Sequence, residues 1–159
     1  MLYPEEKIRE IAEGYYKRGD FFCSEAVLRT FLDVFETGFD NSVLALSGGF
    51  PGGMGGAGCS CGAVIGGIMV LGMFFGRSVA KDPDVFRCME LSKELHDAFR
   101  TKHKAVCCRI LNRNVKDGSP EQRAACALRA GDAAVMTLQI LERELIKRGW
   151  ESKIRCKLS

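Results

Sequence analysis

The sequence predicts an all-α protein: a single-domain helical bundle of about five helices around a glycine-rich central helix. Three observations predict it. Apolar residues recur at helical spacing through most of the chain. Caps and stops separate these runs, and no stretch alternates apolar and polar residues between turn signals as a strand does. At 159 residues the chain has the size of one domain, able to bury a core without disulfide support. The domain is expected over residues 1–149, with an irregular tail over 150–159.

The first helix follows Pro4, with Glu5 and Glu6 at a suitable N-terminus, Ile8, Ile11, Ala12 and Tyr15 on one face, and Gly19 ending the run. The second is expected from about Ser24 to Glu36, burying Ala26, Val27, Thr30, Phe31, Val34 and Phe35, with Gly38 past its end and Cys23 at its mouth. The central helix is expected over about 61–77. The fourth opens at Asp82 and Pro83 and runs to about Lys102, with Val85, Met89, Ser92, Leu95 and Phe99 in phase. A short turn is expected to hold Cys107 and Cys108. The last helix begins at the capping box Ser119-Pro120-Glu121-Gln122 and runs to Arg148 before Gly149.

Charge excludes one class of partner. The 23 basic and 20 acidic residues give a net charge of +3 and are mixed along the chain, without the clustered basic stripe that nucleic acid requires. The N-terminus is charged and amphipathic and lacks the apolar core of a signal peptide, so a cytoplasmic location is expected. Eight cysteines in a compartment that keeps thiols reduced favour redox chemistry or metal binding over a structural disulfide framework.

No charged residue lies between Asp40 and Arg77. Residues 57–76 are long enough to span a bilayer as a helix, and Gly58, Gly62 and Gly66 repeat at the spacing of packed membrane helices. The glycines dilute the hydrophobicity, however, and every other helix is amphipathic, so a membrane association is not expected: an all-apolar helix is also the centre of a soluble bundle. Glycines at 62, 66 and 72 would then let neighbouring helices approach, offsetting part of the roughly 1 kcal/mol that each costs in a helix. The earlier glycines, 48–58, suit a loop that bends with positive φ and bares N–H groups. No nucleotide is expected there, since no lysine follows the loop and no strand precedes it.

Sulfur occupies that place. Helix N-termini favour thiolates, which implicates Cys23 and Cys61. Cys107 and Cys108 follow the basic stretch Lys102–Lys104 and precede Arg109. Cys126 shares a face of the last helix with Ala130, Ala133, Thr137 and Ile140, so a partner can come near. Cys88 reads as a small apolar side chain and Cys156 as a tail thiol. His96 beside Asp97 reads as a surface residue and His103 as solvated; seven residues apart, they do not form the i, i+4 metal pair.

The series Cys23-Ser24-Glu25-Ala26-Val27-Leu28, the glycine loop leading into Cys61-Gly62-Ala63-Val64-Ile65-Gly66-Gly67, then Cys108-Arg109-Ile110-Leu111, then Cys126, resembles the redox-active family known as C-GCAxxG-C-C, over about residues 20–140. The resemblance implies a small helical protein with Cys23, Cys61, Cys108 and Cys126 as its functional centre. The family is also similar to part of the split-Soret cytochromes, which carry haem and an iron-sulfur centre; no Cys-x-x-Cys-His occurs here, so no covalent haem is expected. Cys59 and Cys107 double Cys61 and Cys108, which leaves open the member of each pair that serves, and the motif reads Cys-Gly-Ala in place of Gly-Cys-Ala.

Two chemistries stay open for an oxidoreductase or an electron carrier. In thiol–disulfide exchange one cysteine attacks an oxidised partner protein and a second resolves the mixed disulfide. In metal binding, four thiolates would hold an iron-sulfur cluster whose potential is tuned by N–H groups such as those of Gly58 and Gly62, or, as a lesser expectation, zinc. A structural or membrane-associated partner protein without chemistry of its own is the third class. Small helical proteins often pair, so a homodimer is compatible with the sequence.

Overall fold

The computed structural model describes residues 3–150 and 155–157. Five long helices carry the fold: α1 (Glu5–Lys17), α2 (Cys23–Val34), α4 (Gly62–Phe75), α5 (Asp84–His103) and α7 (Pro120–Arg148). A 3-10 helix (Asn41–Ser47) and the single turns α3 (Pro51–Met54) and α6 (Cys108–Leu111) complete it. Among the described residues there is no strand, only two isolated bridges, Phe35 with Cys156 and Ser60 with Cys107. The 3-10 helix and α3 are additions to the sequence expectation, the first too short for a periodic signal and the second built on glycines that carry none.

Local chemistry explains the boundaries. Glu5 and Glu6 sit at the positive end of α1 and Lys17 at its negative end. The Phe22 N–H that opens α2 donates to Glu25 Oε2 at 2.9 Å. Asp82 Oδ1 accepts from Asp84 N at 2.9 Å, so α5 starts just past Pro83. Ser119 Oγ accepts from Gln122 N at 3.1 Å, while the Gln122 side chain reaches Gly118 N at 2.6 Å rather than closing the box on Ser119.

Helix α4 packs against α2, α5 and α7, and α1 lies along α7 and α2. The six residues expected to form the buried stripe of α2 are all fully buried. On α5 the stripe is Leu91, Leu95 and Phe99; Met89, placed in phase by sequence, is 61% exposed, because α4 and α7 cover a face rotated from it. Burying each large side chain contributes roughly 1.5–3 kcal/mol. Close approach uses Gly62, Gly66 and Gly67 rather than Gly72: a Cβ on Gly66 would lie 2.5 Å from Ser24 O, and one on Gly67 2.6 Å from Leu95 Cδ2, whereas one on Gly72 meets nothing within 4 Å.

The fourteen residues of α4 span about 21 Å, short of a bilayer's hydrocarbon thickness of about 30 Å. Among the described residues one helix, α7, is long and apolar enough to cross a membrane, and 61% of its apolar window is buried inside the fold. In the tail, Trp150 and Cys156 pack against the core. Glu36 N donates to Arg155 O at 2.8 Å and Lys157 N to Val34 O at 2.7 Å, so this segment docks on the end of α2. The rest of the expected tail, 151–154 and 158–159, lies outside the described residues.

Candidate functional site

The glycine loop is shaped by what it must avoid. Gly52 and Gly53 have φ of +70° and +71°, a conformation that side chains disfavour. A Cβ on Gly53 would lie 2.6 Å from Cys59 N and 2.7 Å from Cys108 Cβ. The loop is laced to the segment before α6 by Cys61 N donating to Val106 O (2.8 Å), Cys108 N to Cys59 O (2.5 Å) and Arg109 N to Gly58 O (3.0 Å). Two distant stretches of chain thereby form one wall.

Cys23 is the first residue of α2 and Cys61 caps α4, so both occupy the helix mouths expected for them. Gly62 lets them meet, since a Cβ there would strike Cys23 Sγ. Cys108 opens α6, and Cys126 lies in the second turn of α7. All four line one cavity of about 290 Å³, together with Tyr16, Asn112 and Arg129. Cys23 and Cys61 form its buried side; Cys108 and Cys126 are half-buried.

The doublets separate in space. Cys59 is exposed, and Cys107 turns its thiol to Gly58 O at 2.9 Å. Neither lines the cavity, whose walls carry Cys61 and Cys108. His96 is a surface residue, its Nδ1 2.9 Å from Asp97 Oδ1. His103 is not solvated as expected: its ring lies 4.3 Å from that of Phe99 and its Nε2 3.1 Å from buried Asp132 Oδ2. Burial lowers its pKa, against the opposing pull of Asp132.

The expectation of thiolates favoured by helix termini does not hold. Burial pushes the Cys23 thiol up to about 11, although backbone N–H groups of Gly52 and Ser24 pull it down. Burial, then the neighbouring Cys23, pushes Cys61 up to about 12, against the Ala63 N–H. Cys108 is raised by burial and by Cys126, with Asn112 and Arg129 opposing. A helix terminus contributes only about 0.3–1 kcal/mol in exposed settings, less than the desolvation of a buried anion. Among the charges that act on Cys108, the main opposing one is the guanidinium of Arg129 rather than the basic stretch before Cys107.

Two further residues organise the open side. Asn112 Nδ2 donates to Cys108 Sγ at 3.4 Å, and its Oδ1 lies 3.9 Å from Cys126 Sγ. Arg129 Nη1 donates to Asn112 Oδ1 at 2.7 Å and lies 3.9 Å from Cys126 Sγ, while Nη2 holds Leu111 O at 2.8 Å. Sequence reasoning missed both. The signal was their helical spacing, four residues after Cys108 and three after Cys126.

The fold and this cavity define a cysteine-rich helical bundle whose apolar centre opens onto four thiols. Residues 21–140, about three quarters of the chain, match the family described as "Putative redox-active protein (C_GCAxxG_C_C)". The chain belongs to this family. No curated protein and no solved structure matches it.

Proposed function

We propose that the cavity is the redox centre of a cytoplasmic electron-transfer or thiol–disulfide protein, with Cys23, Cys61, Cys108 and Cys126 as its reacting groups. One observation carries this reading: four thiols from four separate segments line a single cavity. Burial and mutual repulsion raise the pKa of Cys23, Cys61 and Cys108, so the reduced cavity holds neutral thiols. Disulfide formation keeps it neutral. Two thiols lose two protons and two electrons to an oxidised partner, an S–S bond forms, and no charge remains in the cavity. Cys108 and Cys126 suit this step best, since they flank Asn112 on the open side. The reduced form is the one favoured in the cytoplasm, and turnover with a partner would make the protein an oxidoreductase.

A second reading is favoured by a different observation. The buried sulfurs of Cys23 and Cys61 face backbone N–H groups of Gly52, Ser24 and Ala63, the kind of donor that sets the potential of an iron-sulfur cluster. The four cysteines would hold such a cluster, and it would supply one-electron transfer when bound. A single zinc ion fits less well: among the described residues no three Cys, His, Asp or Glu side chains converge tightly enough to hold one ion.

Purification without oxygen, followed by a visible spectrum, metal and sulfide analysis, and thiol counting before and after mild oxidation, tests the proposal. The disulfide reading expects a colourless protein that loses a pair of thiols reversibly, with the bond mapped to Cys108 and Cys126. Stoichiometric iron and sulfide would establish the cluster instead. A metal-free protein that keeps all four cavity thiols through oxidation would refute both.

A further inference from the structure

Beside the four-thiol cavity, and sharing Gly52, Cys108, Asn112 and Gln122 with it, lies a second, polar cleft of about 530 Å³. It is lined further by Arg109, Arg113 and Asp117 and by the loop glycines Gly56 and Gly58, the last lying against the Arg109 side chain. Cβ atoms on Gly52 and Gly56 would meet nothing within 4 Å, so these positions offer bare peptide groups to an occupant. Arg109 is steadied by Nη2 donating to Ala57 O at 2.9 Å, which leaves its remaining N–H groups for a ligand. Asp117 is the one carboxylate, and Gln122 Nε2 donates to it at 3.0 Å. Two guanidinium groups against one carboxylate favour an anion, and their planar forks match carboxylates.

We propose that this cleft binds a small carboxylate-bearing disulfide, of the size of a short peptide, and presents one of its sulfurs to Cys108. The inference rests on the disulfide reading above and adds its substrate class. Volume, charge and reactive group coincide: the cleft lies within the usual range for small-ligand sites of roughly 300–1,000 Å³, its cations face the occupant, and Cys108 stands on the wall common to both spaces. In the first step the Cys108 thiolate attacks one sulfur of R–S–S–R. A Cys108–S–S–R bond forms, the ligand's S–S bond breaks, and the departing RS⁻ takes up the proton that Cys108 released. In the second, the Cys126 thiolate attacks the Cys108 sulfur and expels the second RS⁻, which takes up the proton from Cys126. One small disulfide is reduced to two thiols, and the protein gains one disulfide.

The test uses the full chain, carrying Cys59→Ser to remove the exposed competing thiol, reduced and kept anaerobic. It is mixed in turn with glutathione disulfide (anionic), hydroxyethyl disulfide (neutral) and cystamine (cationic). Mass spectrometry follows the first adduct and thiol loss gives the rate. Glutathione disulfide is expected to react about tenfold faster than hydroxyethyl disulfide at low salt, and cystamine slowest, with the first adduct on Cys108. The anionic-to-neutral rate ratio should fall about threefold in Arg113→Gln, and to near one in Arg109→Gln,Arg113→Gln. Arg113 is exposed, so its single variant keeps the test open should the Arg109 change unfold the loop. Salt should erode the ratio in parallel. A ratio near one with both arginines in place, a ratio unmoved by Arg113→Gln, or a first adduct on another cysteine would overturn the substrate assignment while leaving the redox centre standing. Failure of all three disulfides to oxidise the cavity thiols would overturn the substrate assignment, and failure of diamide as well would overturn the disulfide reading with it.

Discussion

Cys61 illustrates a contest between two effects at one atom. The N-terminus of α4 and the Ala63 N–H invite a negative sulfur, but the site is nearly closed to water and faces Cys23. Burial wins, so the thiol stays protonated well above neutrality. At pH 8 in the reduced state, iodoacetamide should therefore modify exposed Cys59 at least tenfold faster than Cys23 or Cys61, as peptide mapping would show. Stability should carry the same signature. An unfolded thiol ionises near 9, whereas Cys23 and Cys61 hold their protons to about 11 and 12. Their contribution is complete below pH 9 and is lost as pH rises through the folded values, because the unfolded chain sheds protons first. Between pH 8 and pH 10 urea denaturation under reducing conditions should register a loss of roughly 2–3 kcal/mol, at about 1.4 kcal/mol per unit for each thiol. A Cys23→Ala,Cys61→Ala variant should show a flatter dependence.

Among the elements, the seam between α2 and α4 depends on what is missing from Gly66. Gly66→Ala would push a methyl group onto the Ser24 carbonyl and Val27 and should cost about 1–3 kcal/mol in chemical denaturation. Gly72→Ala one and a half turns on has room and should stabilise by about 0.5–1 kcal/mol. The seam between α5 and α7 is electrostatic. Glu144, almost fully buried, accepts from Arg87 Nη2 at 2.6 Å and Nε at 3.0 Å, and Arg87, with Arg148 assisting, holds its carboxyl down at about 2. That stabilisation is present above the unfolded value near 4.5 and disappears as pH falls toward 2. Arg87→Ala should cost about 3 kcal/mol at pH 7 and about half as much at pH 3, measured by thermal melts across that range. Sequence periodicity with caps and stops, Ser119 and Gly149 being examples, located four of the long helices, and the uncharged apolar run located α4. It could not assign Gly72 or Met89 correctly, since spacing along one helix does not say where its neighbours lie. Of the cavity, Cys23 and Cys61 were legible as cysteines at helix mouths and the set of four through the family resemblance; that Cys61 and Cys108, and not Cys59 and Cys107, face inward follows from backbone bonds between segments some fifty residues apart, which no local pattern records.

At the scale of the whole molecule, the C-terminal segment ties back onto α2 through Arg155 and Lys157, the latter also donating from Nζ to Leu32 O at 2.7 Å. A chain ended at Trp150 should lose about 2–3 kcal/mol, three hydrogen bonds at about 1 kcal/mol each, read as a lowered urea midpoint. The stitch between residues 58–61 and 106–109 works differently, because it fixes a distance rather than adding to a total. Peptide units are nearly rigid rulers, and here they space one inward sulfur from another independently of how well the hydrocarbon packs behind them. Wear in the bundle, such as a trimmed leucine in α5, should thus lower the melting point while the two sulfurs keep their mutual setting until the moment the whole chain lets go.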